Sequence, residues 1–125
     1  MPLIKKVQTH TFTTPNAVMV THAGPSHGSA ELAVWQVSMA PGAQGPVHHI
    51  DREQVYLVTG GALSIVAGEQ DHRAEAGDAV VIPADLVRQV RNPGPGTAEA
   101  IVSMRAGGRV TMADGTDRGL LPWAS

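Results

Sequence analysis

Short runs of apolar residues alternate with polar ones along the chain, and each run stops at Gly, Pro, Asn or Asp. No segment has the 3.6-residue period of an amphipathic helix, whereas a period of two is typical of half-buried strands. The pattern predicts eight strands, at residues 17–21, 31–39, 54–59, 62–67, 71–75, 79–82, 87–91 and 98–104. Many short strands separated by turn residues favour an all-β sandwich or small barrel.

The two ends of the chain differ from this strand-rich core. The 125 residues are predicted to form a single domain, with a core at about 31–104, a polar N-terminal arm at 1–16 and a C-terminal tail at 106–125. The tail ends in an apolar patch, Leu120, Leu121 and Trp123, which should dock on a neighbouring subunit or fold back over the chain's own barrel. Because open sheet edges are commonly covered by a partner, we expect a homodimer.

Composition narrows the possible partners. The net charge is −2, charged residues make up 16% of the chain, and there is no basic stripe, so neither nucleic acid nor a membrane surface is an expected partner. The absence of cysteine excludes disulfides and thiol chemistry. Without a secretory signal pattern or a run of roughly 18 apolar residues, the expected location is the cytoplasm.

Two spaced motifs lie in the core. The first follows G-(x)5-H-x-H-(x)3-E-(x)6-G and runs from Gly42 to Gly61, with His48 in its first histidine position. The second follows G-(x)5-P-x-G-(x)2-H-(x)3-N and runs from Gly77 to Asn92, fifteen residues further on. In spacing, the chain resembles the cupin superfamily. The resemblance implies a cupin-type double-stranded β-helix, that is, a jelly-roll barrel.

The resemblance also implies a metal centre, but this chain departs from the ligand set. The four ligand positions read His48, Ile50, Gln54 and Arg88, where most cupins have three histidines and a carboxylate. An alkyl group binds no metal, and a guanidinium would place a fixed positive charge where the cation should sit. We therefore expect no metal cofactor. If a divalent metal were bound, His48 and Gln54 would hold it, with another histidine completing the set.

Strand parity indicates which side chains share a pocket. If His48 faces inward, so does Ile50, and the same face of the next strand carries Gln54, Tyr56 and Val58. Arg88 and Val90 follow the same alternation further on, and Trp35 should fill the core beside them. A few convergent polar groups among aliphatic ones are typical of a small-molecule pocket.

Within this pocket the predicted catalytic residues are His48, Arg88 and Tyr56. The predicted substrate-binding residues are Gln54, Ile50, Val58, Val90 and Trp35. His48 would move a proton, and Arg88 would hold a carboxylate or stabilise a developing oxyanion. The structural alternative is that Arg88 forms an ion pair with Asp51, Glu53 or Asp85.

Three functions remain open at this point. The first is a metal-independent isomerase, cyclase or lyase of secondary or sugar metabolism, as the metal-free members of the superfamily imply. The second is a module that binds a small molecule without reaction. The third is a metal-dependent dioxygenase with an unusual site around His48 and Gln54.

Overall fold

Twelve strands and three single-turn 3-10 helices make up the chain in a computed structural model that describes residues 1–125. The strands are β1 (His10–Thr13), β2 (Val18–Ala23), β3 (Leu32–Met39), β4 (His48–Ile50), β5 (Gln54–Gly60), β6 (Ala62–Ala67), β7 (Gln70–Glu75), β8 (Ala79–Ile82), β9 (Gln89–Arg91), β10 (Ala98–Arg105), β11 (Arg109–Met112) and β12 (Asp117–Leu120). The helical turns are Lys6–Gln8, Pro25–His27 and Pro122–Ala124. No helix has the length and apolar character needed to span a bilayer.

The strands form two layers. One is a six-stranded antiparallel sheet in the order β1-β2-β3-β10-β5-β8. The other consists of two three-stranded sheets, β12-β11-β4 and β7-β6-β9, which meet where His48 pairs with Arg88 and Gln44 pairs with Arg91. The core cluster of buried residues includes Trp35 and Val37 of the large sheet and Ile50 and Ile65 of the two smaller sheets. The prediction of an all-β jelly roll is confirmed.

All eight predicted strands are present, and the four that sequence analysis missed are short or polar. Strand β1 lies in the segment expected to be an arm, and β11 and β12 lie in the segment expected to be a tail. Strand β11 pairs with β4, with Val110 opposite Ile50, so the C-terminal segment belongs to the barrel and borders the first motif. A four-residue strand stabilised mainly by long-range pairing leaves little pattern in the local sequence.

Two turns explain why the motif spacing is kept. Gly61 has a positive φ of 64°, and a Cβ there would lie 2.6 Å from the carbonyl oxygen of Thr97, so only glycine fits without displacing backbone. Asp85 occupies the glycine position of the second motif with a φ of 65°, a left-handed conformation that Asp tolerates better than most residues. The backbone thus keeps the motif geometry although the side chain has changed.

Candidate active site

A cavity of about 460 Å³ lies between the two layers, a volume within the usual range for small-molecule sites. Of its 22 lining residues, 13 are hydrophobic, and none is Asp or Glu. The exposed members of this set include Pro15 of the β1–β2 turn, Pro46 before β4, and Arg118 and Leu120 of β12. These residues mark the mouth of the cavity. Its inner wall comes from β3, β4, β5 and β9.

Six of the eight predicted site residues line this cavity, namely His48, Ile50, Gln54, Tyr56, Val90 and Trp35. The other two, Val58 and Arg88, are each 1% exposed but are not part of the wall. Strand parity had placed seven of the eight on the inward face and Trp35 had been expected in the core; seven of the eight side chains are buried, and His48 is half-buried. What parity does not supply is depth, because a side chain can face inward and still lie behind its neighbours.

His48 is held as a neutral base. Its Nδ1 lies 2.8 Å from the carbonyl oxygen of Pro46, which can only accept, so Nδ1 carries the proton and donates. The pKa of His48 is lowered from 6.5, first by burial and then by the positive charge of Arg88, with a smaller effect from His49. The hydrogen bond to Pro46 opposes this shift. Nε2 therefore keeps a free lone pair at neutral pH, and no protein group bonds to it.

Arg88 is a buried cation without a buried anion. The backbones of Arg88 and His48 exchange two hydrogen bonds, of 2.9 and 3.0 Å, which places the two side chains close together on the same strand pair. Nη2 of Arg88 donates to Oε1 of Gln54, and no ion pair of the protein includes Arg88. Burial lowers the pKa of the guanidinium, but an arginine still keeps its charge.

The structural alternative for Arg88, an ion pair with Asp51, Glu53 or Asp85, is therefore wrong, because none of the three acids pairs with it. Asp85 faces His49 at 3.6 Å, and Asp51 contacts Arg52 at 3.3 Å. The third, Glu53, is exposed and forms no ion pair.

Gln54 and Tyr56 both line the cavity, and both side chains are uncharged. Because arginine has only donors, the Gln54 atom that contacts Arg88 must be the amide oxygen, and this contact fixes the orientation of the amide. The amide nitrogen donates a 3.6 Å hydrogen bond to the sulfur of Met104, which does not line the cavity, and its second hydrogen makes no hydrogen bond within the protein. Burial raises the pKa of Tyr56, and the neighbouring Arg88 only partly offsets this shift. The phenol therefore keeps its proton.

These contacts do not fit a metal ion. The only oxygen ligand among the four motif positions is Oε1 of Gln54, and it already accepts from Arg88. His48 is the only remaining good ligand of that set, and nowhere in the chain are three or more His, Cys, Asp or Glu side chains placed to hold a metal. None of the other histidines, such as His22, His27 or His72, completes a three-ligand set with His48.

The C-terminal segment supplies a wall that sequence analysis did not assign to the site. Leu121, Pro122 and Trp123 line the cavity, and Leu121 is 4% exposed. The carbonyl oxygen of Trp123 accepts a 2.6 Å hydrogen bond from the hydroxyl of Thr21, and the indole meets the ring of Phe12 edge to face at 6.5 Å. Of the two arrangements considered for this patch, the chain shows the one that covers its own barrel. The apolar run at 120–123 was the available signal.

The fold and motif spacing define a class of protein. The family described as "Cupin domain" matches residues 35–104, more than half of the chain, and the protein belongs to this family. No curated protein matches the chain.

Solved structures with similar folds carry different activities. A sugar phosphate isomerase from a cupin superfamily of Silicibacter pomeroyi has a TM-score of 0.72 and 21% identity, covering 90% of this chain and 82% of its own. The polyketide cyclase RemF of Streptomyces resistomycificus has a TM-score of 0.72 and 15% identity, covering 84% and 79%. The DMSP lyase DddQ of Ruegeria pomeroyi has a TM-score of 0.73 and 18% identity, covering 87% and 63%. At these identities the likeness establishes the fold alone.

Proposed function

We propose that the protein is a metal-independent cupin enzyme of the isomerase, cyclase or lyase type, which moves a proton on a small organic substrate. One observation carries the proposal. His48, whose Nε2 is unprotonated, lines the same mainly apolar cavity as the uncharged side chains of Gln54 and Tyr56, which can both donate hydrogen bonds. To remove a proton next to a carbonyl group, an enzyme needs a general base and hydrogen-bond donors that stabilise the developing oxyanion, and an apolar cavity strengthens both interactions.

In the proposed step, Nε2 of His48 takes a proton from the carbon α to a substrate carbonyl. The electron pair of the broken C–H bond forms the enolate, whose oxygen accepts hydrogen bonds from the Gln54 amide and the Tyr56 hydroxyl. The imidazolium then returns the proton to another carbon in an isomerisation or to a leaving group in an elimination. In a cyclisation, the enolate carbon attacks a second carbonyl of the same molecule and the imidazolium protonates the resulting alkoxide.

Arg88 acts in this scheme as a positioning residue, since it lies behind the wall. Its hydrogen bond turns the Gln54 amide nitrogen away from the guanidinium, and its charge adds to the effect of burial in lowering the pKa of His48. The same charge favours a negative substrate oxygen on the cavity side, because no acidic side chain lines the wall to cancel it.

Structures with a similar fold support this proposal at the level of reaction type. Similar structures are described as an isomerase, a cyclase and a lyase, so this fold hosts reactions of all three types. A homodimer acting in the cytoplasm remains part of the proposal.

Solvent deuterium exchange tests the proposal without knowledge of the natural substrate. The probe is 2-tetralone, a bicyclic ketone with acidic α-hydrogens, incubated in D₂O and followed by NMR. The protein should accelerate exchange, and His48→Gln should remove most of the acceleration, about 10²–10⁴-fold for a general base. The matched control is His49→Gln, which changes the adjacent histidine that pairs with Asp85 outside the cavity and should leave exchange intact.

Two results would contradict the proposal. Ligands that bind in the cavity without any exchange of their hydrogens would indicate a binding module. Exchange that survives His48→Gln in a folded variant would place the base elsewhere.

A further inference from the structure

Arg118 is the one permanently charged side chain on the cavity wall. It stands on β12 at the mouth, forms no ion pair and makes no side-chain hydrogen bond. Its counterpart on the same hairpin, Arg109, contacts Asp117 at 3.1 Å and does not line the cavity. Hydrogen bonds from Thr116 lower the pKa of Asp114 and the charge of Arg118 adds a smaller effect, but that carboxylate is not within ion-pair distance of Arg118 and is not part of the wall.

The rest of the wall is mainly apolar. Apart from Arg118 and the polar groups near His48, the lining consists mainly of aliphatic, thioether and indole side chains, such as Met19, Met112 and Trp123, with Thr14 and Asn16 as the other polar members. A sugar has a hydroxyl on almost every carbon, and each would lose hydrogen bonds to water on entering such a cavity, at a cost that apolar contacts do not offset. An apolar carbon skeleton gains free energy in the same place.

We propose that Arg118 is a specificity-determining residue that binds the anionic group of a predominantly apolar substrate, such as an aromatic or polycyclic organic acid. The anion stays at the mouth, where it keeps part of its hydration, while the carbon skeleton extends inward to His48. This inference deepens the proposed function by naming its substrate class, and it disfavours sugar phosphates. It also assigns anion recognition to the mouth, while Arg88 acts from behind the wall.

The test compares an acid with its neutral isostere. Calorimetric titrations with 2-naphthylacetate, 2-naphthylacetamide and glucose 6-phosphate should show that the naphthyl acid binds about three- to tenfold more tightly than its amide, as expected of one partly exposed charge-assisted contact. Glucose 6-phosphate should not compete. The preference for the acid should shrink as NaCl is added, because the contact lies near solvent.

Arg118→Gln should abolish the preference for the acid while leaving amide affinity unchanged, and Arg118→Lys should retain part of it. Arg109→Gln is the matched control on the same hairpin and should keep the preference. Equal affinities for acid and amide in the parent protein, a preference that survives Arg118→Gln, or tighter binding of glucose 6-phosphate would each overturn the inference.

The measurement separates this inference from the chemistry at His48. Affinity needs no proton transfer, so His48→Gln should keep the preference for the acid. If 2-tetralone showed no exchange while the preference persisted, the proposed reaction would fail and the substrate class would stand. If exchange occurred and the preference did not, the reverse would hold.

Discussion

The contact between Arg88 and Gln54 leads to a quantitative prediction about stability. Gln54→Leu removes the acceptor of Nη2 and leaves a buried guanidinium whose Nε already lacks a partner. A hydrogen bond to a charged group contributes about 1.5–3 kcal/mol, and an unpaired buried donor costs the full desolvation penalty. We therefore expect Gln54→Leu to lower the free energy of unfolding by about 2–3 kcal/mol, or roughly 5–10 °C in Tm for a domain of this size.

The second variant, Arg88→Met, removes the cation but leaves Oε1 of Gln54 without a donor, at a cost of about 1–3 kcal/mol. Together, Gln54→Leu and Arg88→Met replace both partners with apolar groups, a change that is often nearly neutral for a buried polar pair. The double variant should therefore be more stable than the sum of the single effects predicts, by at least about 1.5 kcal/mol.

Urea unfolding of the parent, both single variants and the double variant closes this cycle. Gln36→Leu on β3 is the control, since the Gln36 side chain has no hydrogen-bond partner and should change stability little. Additivity within about 0.5 kcal/mol would refute the claim that Arg88 orients the Gln54 amide, and with it the donor role proposed for Gln54.

Four other predictions follow from the same structure. The pKa of His48 is lower in the folded state than its ordinary 6.5, so the unfolded chain binds that proton more readily. The free energy of unfolding should therefore fall as the pH drops below about 6.5. In urea titrations between pH 5 and 7, His48→Gln should flatten this dependence. Leu121→Ala should cost about 2–4 kcal/mol, measured by thermal melting, since Leu121 is a buried core residue; a loss below 1 kcal/mol would mean the C-terminal segment is not docked. Elemental analysis of the purified protein should find no stoichiometric transition metal, because the Gln54 oxygen is already engaged; about one tightly held ion per chain would contradict this. Sedimentation should show a dimer, and a monomeric parent protein would contradict this prediction. Because the C-terminal segment covers its own barrel, the exposed side chains of Leu57 and Val81 on the large sheet are the dimer surface to test by substitution.

Much of the fold and part of the site could be read from local sequence. The alternation of apolar residues predicted eight of the twelve strands, because a period of two directly records one buried face. The spacing from Gly42 to Gly61 and from Gly77 to Asn92 indicated a cupin even with altered ligand positions, since the turns set the spacing and the ligands do not. Parity predicted that His48 on β4 and Gln54 and Tyr56 on β5 face inward, and all three line the cavity between the two layers.

The tertiary structure decided which of these side chains contact one another. Sequence left open whether Arg88 paired with an acid or served the pocket, and its bond to Gln54 depends on side-chain geometry that no local pattern encodes. The cavity mouth, including Arg118 and Trp123, depends on β11 pairing with β4 and on the last turn docking against β2, contacts between segments about 60 and 100 residues apart. Such pairings are stabilised by burial that appears only when distant segments meet, so the local sequence of these segments does not reveal which strands they pair with.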